Sequence, residues 1–133
     1  MIFVDTSVLI AFLRGTTTPA VERLAQFEAD GVPYGIPLIC YQEVLQGARD
    51  QREWRLLNSY LKTQHLETPD NPLSLHVDAA RVYFDCRRRG ITVRSTVDCL
   101  IAAQVLRANG TLLHDDDDFD RVAKVRPLKG IRG

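Results

Sequence analysis

Short apolar runs that stop at an acid constrain this chain more than anything else in it. Ile2-Phe3-Val4 ends at Asp5, and Thr111-Leu112-Leu113 is followed, after His114, by an unbroken run from Asp115 to Asp118. Such runs are too short for a helix and long enough for a buried strand. The residues between them carry helical periodicity. Ser7 to Arg14 reads as a helix stopped by Gly15; Thr18 then caps a second, with Pro19 at its first position, that ends at Gly31. Val32 to Pro37 reads as extended, and Leu38 to Arg49 as a helix whose apolar face includes Tyr41, Val44, Leu45 and Ala48. Trp54 to Leu61 continues the helical pattern, and a weak strand falls near Leu66. Leu73 or Ser74 to Arg89 is helical, as is Thr96 to Asn109, closed by Gly110. Phe119 to Lys124 predicts a short helix and Leu128 to Ile131 a last edge strand. Strands separated by helices predict an α/β fold with an open, mostly parallel sheet flanked by helices. In such sheets the ligand crevice lies beyond the carboxyl ends of the strands, where Asp5 and the aspartate run fall.

A chain of 133 residues, 45% hydrophobic, suffices for one core, and without linker, repeat or low-complexity sequence residues 1–133 read as one domain. Seventeen basic and seventeen acidic residues leave no net charge, which excludes a polyanion binder acting through overall charge. The local pattern is different. Arg81, Arg87, Arg88, Arg89 and Arg94 face only Asp85 within their stretch, whereas Asp115 to Asp120 contains five aspartates and no base. The plain reading of Arg87 to Arg89 is a solvated helix end, with Gly90 as its C-cap. Cys40, Cys86 and Cys99 are far apart, without zinc or redox spacing, and read as buried thiols. Asp5 interrupts the first apolar run and Val8 to Leu13 is too short for a secretory core or a membrane span, so a reducing cytoplasm is expected.

Glu43 and Asp98 stand early in two helical patterns and can face the same rim as Asp5 and the aspartate run. Two carboxylates ~4 Å apart repel by about 4 kcal/mol at an effective dielectric near 20, so such a group needs a cation or raised pKa values. Mg²⁺ takes oxygen ligands and keeps several waters, which suits phosphate chemistry. Each acid also has a plain reading. Asp5 N-caps the helix from Ser7, Ser95-x-x-Asp98 is a formal capping box, Glu43 is solvated, and Asp118 caps the short helix after it. Singly, the structural reading is favoured for each; four acids meeting at one rim reverse that balance. His65, His76 and His114 do not form a zinc set, and His114 is given a structural role ahead of substrate contact. Trp54, Tyr60, Tyr83 and Phe84 lie at helical spacing, as expected for core or dimer contact.

Four stretches carry a resemblance: Ile2-Phe3-Val4-Asp5-Thr6-Ser7, Gln42-Glu43-Val44-Leu45-Gln46-Gly47-Ala48, Thr96-Val97-Asp98-Cys99-Leu100-Ile101-Ala102-Ala103, and Leu112-Leu113-His114-Asp115-Asp116-Asp117-Asp118-Phe119. In this order and spacing, across almost the whole chain, they resemble the PIN-domain ribonucleases, in particular the VapC toxins of toxin–antitoxin pairs. The resemblance implies a PIN-like, three-layered fold and an acidic quartet of Asp5, Glu43, Asp98 and Asp116. It also implies Mg²⁺ or Mn²⁺ held by Asp5, Asp98 and Asp116, with Glu43 assisting a metal-bound water in RNA hydrolysis. Asp118 matches the second aspartate of the family's closing Asp-x-Asp-Phe pattern. His114 stands where a threonine or serine is frequent, and the unbroken run leaves Asp115, Asp117 and Asp118 as alternative fourth acids. Thr6 is a candidate to hold a ligand carboxylate or a phosphate oxygen, and Arg14, Arg94 or Arg87 to Arg89 to contact RNA. The implied partners are a VapB-type antitoxin, a tRNA or ribosomal RNA loop and a second copy of the chain. A haloacid-dehalogenase-like phosphatase would want an aspartate where Ser7 stands, and a Rossmann binder a glycine-rich first turn. The competing class is a PIN-like module that holds RNA or protein without cutting, which has no need of a complete acidic quartet.

Overall fold

In the computed structural model, which describes residues 1–133, the chain runs β1 (Ile2–Val4), α1 (Thr6–Leu13), α2 (Pro19–Asp30), β2 (Tyr34–Pro37), α3 (Leu38–Gln46) and α4 (Gln51–Leu61). It continues as β3 (Leu66–Glu67), α5 (Pro72–Arg88), α6 (Thr96–Arg107), β4 (Thr111–Leu113), α7 (Asp117–Val122) and β5 (Lys129–Ile131). All pairings are parallel, and the order across the sheet is β3-β2-β1-β4-β5. Ile2 stands opposite both Tyr34 and Thr111, and Thr111 opposite Lys129, so β2, β1, β4 and β5 start in step.

The chain travels one way from β1 through β2 to β3, crosses back to β4 and goes on to β5. Parallel crossovers are right-handed, so opposite directions of travel place α1 to α4 on one face and α5 to α7 on the other. The helix contacts agree: α1 packs on α2 and α3, α3 on α4, and α5, α6 and α7 on one another. Three layers result. The direction of travel reverses between β1 and β4, which opens a crevice at their carboxyl ends. There the Asp5 N–H donates to the Leu113 carbonyl at 3.0 Å, fixing the two strand exits side by side.

Covered on both faces, the central strands are apolar throughout rather than alternating. Phe3, Val4, Ile36, Leu112 and Leu113 share one core with Val8, Leu9 and Leu24 from the first helical layer and Val82, Ile101, Val105 and Phe119 from the second. Cys40, Cys86 and Cys99 are free and buried, and burial pushes their thiols up, Cys99 to about 12. No helix is long and apolar enough to cross a membrane.

Several element ends differ from the sequence expectation. The third helix stops at Gln46 rather than Arg49, and α4 starts at Gln51 rather than Trp54 because Asp50 caps it, accepting the Glu53 N–H at 2.8 Å. Its first turn is polar, so hydrophobic periodicity missed it. Trp54 is 43% exposed and lies outside the core. At the end of α6 the left-handed residue is Asn109, at φ 51°, not Gly110. Gly110 is needed for space: a Cβ there would lie 2.5 Å from the Phe3 ring.

Candidate active site

Asp5 leaves β1 directly into the crevice and divides its carboxylate between two tasks. Oδ2 accepts the Ser7 N–H at 3.0 Å and the Ser7 hydroxyl at 2.6 Å, which caps α1. Oδ1 is buried and has no hydrogen-bond partner. The capping role expected from the sequence thus leaves one oxygen of the same carboxylate unused. The Ser7 hydroxyl also accepts the Asp115 N–H at 3.0 Å, tying the exit of β4 to that of β1. Thr6, the next residue after Asp5, donates to Oε1 of Glu43 at 2.7 Å, so Glu43 is held at the rim instead of being freely solvated.

Asp98 enters from the first turn of α6. The capping box expected from Ser95 and Asp98 is not formed: the Ser95 side chain makes no cap bond, and Oδ2 of Asp98 is buried without a partner. Asp98, Asp116 and Asp118 each present a carboxylate oxygen, and these lie within 4.8 Å of one another. Asp116, half-buried, is the cap of α7, accepting the Asp118 N–H at 2.9 Å; that role had been expected of Asp118. The alternation along the aspartate run is clear. Asp115 and Asp117 turn to Arg132, at 3.1 and 2.9 Å, in an exposed cluster that also pairs Arg132 with Asp120. Asp116 and Asp118 turn inward.

His114 is 1% exposed and packs on Phe119, ring centroids 5.0 Å apart. Its Nδ1 accepts the Asp116 N–H at 3.3 Å, and burial holds its pKa below the usual histidine value, so the neutral ring helps to orient Asp116. Gly130 makes room for it, since a Cβ there would come within 2.7 Å of Nε2. Ser7, Arg121 and Arg132 were not singled out in the sequence. Only Ser7 left a trace there, as a hydroxyl two residues after an N-cap aspartate.

Burial is the main reason the site acids resist ionisation. It raises Asp5 from 3.8 to about 6 against the Ser7 and Thr6 hydrogen bonds, with Glu43 adding repulsion. Burial also pushes Asp98 well above the carboxylate range, helped by a proton shared with Asp118 and by the charges of Asp116 and Asp5. Asp118 goes the other way. Burial works against its ionised form, but hydrogen bonds from Arg94, Asp98, Ser95 and Arg121 outweigh it and hold the carboxyl below the usual value.

These directions predict how the metal-free protein responds to pH. An Asp5 whose folded pKa exceeds its unfolded value favours the folded state at low pH, and that advantage is lost as pH rises from about 4 to about 6. Two units correspond to roughly 3 kcal/mol for a carboxyl this buried. Asp98 acts in the same direction, whereas the stability supplied by Asp118 is lost only on acidification below the normal carboxylate range. Urea midpoints measured in EDTA are expected to fall between pH 4.5 and 7; a flat or rising profile would contradict the burial of uncompensated carboxylates.

The candidate cationic residues are spread unevenly. The ends of α5 and α6 show the two helices to be antiparallel, since the Arg107 guanidinium reaches Ser74 at 2.9 Å and Asp78 at 2.7 Å. Arg87, Arg88 and Arg89 therefore lie toward the end of α6 that carries Asp98. Arg81, Arg87 and Arg88 lie over the Phe84 ring at 5.0, 5.8 and 5.7 Å, and Arg89 reaches the Lys124 carbonyl. Arg94 stands just before Ser95, the N-cap of α6, its backbone bonded to Asp118 and its side chain exposed. Arg14 is at the opposite end of α1 from Asp5, where it lines a groove of about 530 Å³ with Ile10, Leu13, Val44 and Leu57. That groove does not include Asp5, Glu43, Asp98 or the aspartate run.

The PIN domain family model matches residues 2–125. Ribonuclease VapC11 of Mycobacterium tuberculosis is 34% identical over 132 residues, 97% of this chain and 96% of the relative. FitAcB from Neisseria gonorrhoeae has a similar structure, with a TM-score of 0.75 at 17% identity over 99% of this chain and 97% of that one. A toxin–antitoxin complex from Klebsiella pneumoniae matches at 0.66 and 19% identity over 90% of each chain. The two structures speak to the fold, whereas the family model and the relative's identity extend along the sequence. The chain belongs to the PIN-domain family, among the VapC ribonucleases.

Proposed function

We infer that this chain is the toxin of a toxin–antitoxin pair, a metal-dependent endoribonuclease neutralised by a VapB-type antitoxin. One observation carries the reading: Oδ1 of Asp5 and Oδ2 of Asp98 are buried and unpartnered at the topological switch point of the sheet. Buried acceptors without partners are rare and costly, and a divalent cation with oxygen ligands satisfies such a pair. Asp5, Asp98 and Asp116 would hold Mg²⁺ or Mn²⁺. Bound there, the ion supplies a low-pKa water and offsets charge that develops on the phosphate.

The chain's own residues do the rest. Glu43, its Oε1 fixed by Thr6, serves as proton acceptor for the attacking water. Ser7 keeps Asp5 in one rotamer while leaving Oδ1 free. Arg94 and the Arg87 to Arg89 run offer cationic cover to the RNA backbone on the Asp98 side, while the position of Arg14 suits it to another role. The substrate class is a single-stranded loop of a structured RNA, a tRNA or ribosomal RNA, whose unstacked bases a shaped surface can read. Residues 1–133 act as one domain, paired with a second copy, in the cytoplasm. The VapC relative and the toxin–antitoxin neighbour support the partner and the RNA substrate by their names. Induced expression in a bacterial host is expected to arrest growth, and Asp5→Asn to relieve the arrest at an equal protein level. Equal arrest by both proteins would count against the reading.

A further inference from the structure

Asp118 has little acceptor capacity to spare. It is 2% exposed; Oδ1 accepts the Arg94 N–H at 3.1 Å and the Arg121 guanidinium at 2.9 Å, and Oδ2 accepts the Arg94 N–H at 3.1 Å and the Ser95 N–H at 3.0 Å. A carboxylate offers about four lone-pair sites, and three N–H donors converge on this one, the Arg94 N–H being shared between its two oxygens. Although it stands within 4.8 Å of Asp98 and Asp116, most of its acceptor capacity is spent on these N–H groups.

Its partners explain why it is there. In a capping box the acid at the third helical position reaches back to the N–H of the N-cap residue. For α6 those residues are Asp98 and Ser95, yet the Ser95 N–H is taken by Asp118, from a different helix. The Asp98 backbone N–H still closes the turn on the Ser95 carbonyl at 3.2 Å, while Oδ2 of its side chain is without a partner. We propose that Asp118 is a positioning residue: it performs in trans the capping bond that Asp98 would otherwise make, and so keeps the Asp98 carboxylate turned to the crevice. Without it, Asp98 has a local partner in the Ser95 N–H and a reason to turn away.

This inference rests on the metal reading of the site, and its test separates the two. The purified full chain, Asp118→Ala and Asp98→Asn are compared in EDTA by thermal melting and by amide exchange, and then by Mn²⁺ titration at a temperature where each is folded. Asp118→Ala is expected to melt lower than wild type, to exchange the Arg94 and Ser95 amides at least about tenfold faster, and to bind Mn²⁺ roughly 10- to 100-fold more weakly at unchanged stoichiometry. Cleavage is expected to recover toward wild type at saturating Mn²⁺, which a lost ligand would not allow. Asp98→Asn is expected to melt higher and to lose Mn²⁺ binding. If Asp118→Ala does not fold, Asp118→Asn, which keeps one acceptor oxygen, replaces it under the same expectations. A higher melting temperature for the Asp118 variant would make it a site acid like Asp98, and unchanged Mn²⁺ affinity with lower stability would make it structural only; either overturns the proposal. A wild-type chain that binds no Mn²⁺ overturns the metal reading, and this inference with it.

Discussion

Asp98→Asn is expected to reduce RNA cleavage by on the order of 10³-fold or more while making the metal-free protein more stable. The two effects have one cause. Asp98 is 6% exposed, lies close to Asp116 and Asp118, and leaves one oxygen without a partner. With no cation present, folding must either bury its charge or take up a proton to neutralise it, and both oppose folding at neutral pH. Asparagine keeps the shape and removes the charge, so melting in EDTA should rise by several degrees, as a gain of roughly 1–2 kcal/mol would give in a domain of this size. On the proposed function, the same change removes a ligand oxygen where charge must be neutralised during cleavage. Scanning fluorimetry in EDTA and an RNA cleavage assay test both halves. A variant that is less stable and still active would show that Asp98 belongs to the fold and not to the chemistry.

Phe119→Ala is expected to produce the largest loss of stability among single changes near the site, about 3–5 kcal/mol. Phe119 is 1% exposed, belongs to the common core, and holds His114 from the side. Against a total stability of roughly 5–15 kcal/mol, that is a large share. Loss of the ring also frees His114, and with it the acceptor that orients Asp116, so metal affinity should fall even in the folded fraction. Urea unfolding in the presence and absence of Mn²⁺ measures both effects. A loss under about 1 kcal/mol would mean that the short helix α7 floats on the core instead of being anchored in it.

The sequence displayed the fold where local rules and tertiary packing agree. Ile2 to Val4 and Thr111 to Leu113 read as buried strands because both faces of the sheet are covered, and Thr18 with Pro19 marked the start of α2 because cap chemistry is local. The acids at strand ends were visible for the same reason. The aspartate run was ambiguous because its register is decided by residues distant in sequence: Arg132 draws Asp115 and Asp117 outward, while Arg94, Ser95 and Arg121 take up Asp118. The capping box of Ser95 and Asp98 was a sound local reading that lost to a tertiary partner. The glycine at 110 read as the close of a helix, but its reason is the Phe3 ring on the neighbouring strand, which periodicity does not reveal.

The most direct measurement is cleavage of total cellular RNA by the purified protein, free of antitoxin, in Mg²⁺, in Mn²⁺ and in EDTA, beside Glu43→Gln, with new ends mapped by sequencing. The account predicts metal-dependent cuts at one or a few sites in structured RNA, absent in EDTA and strongly reduced in the variant. Cleavage that persists in EDTA, or no cleavage of any RNA by folded protein supplied with metal, would contradict it.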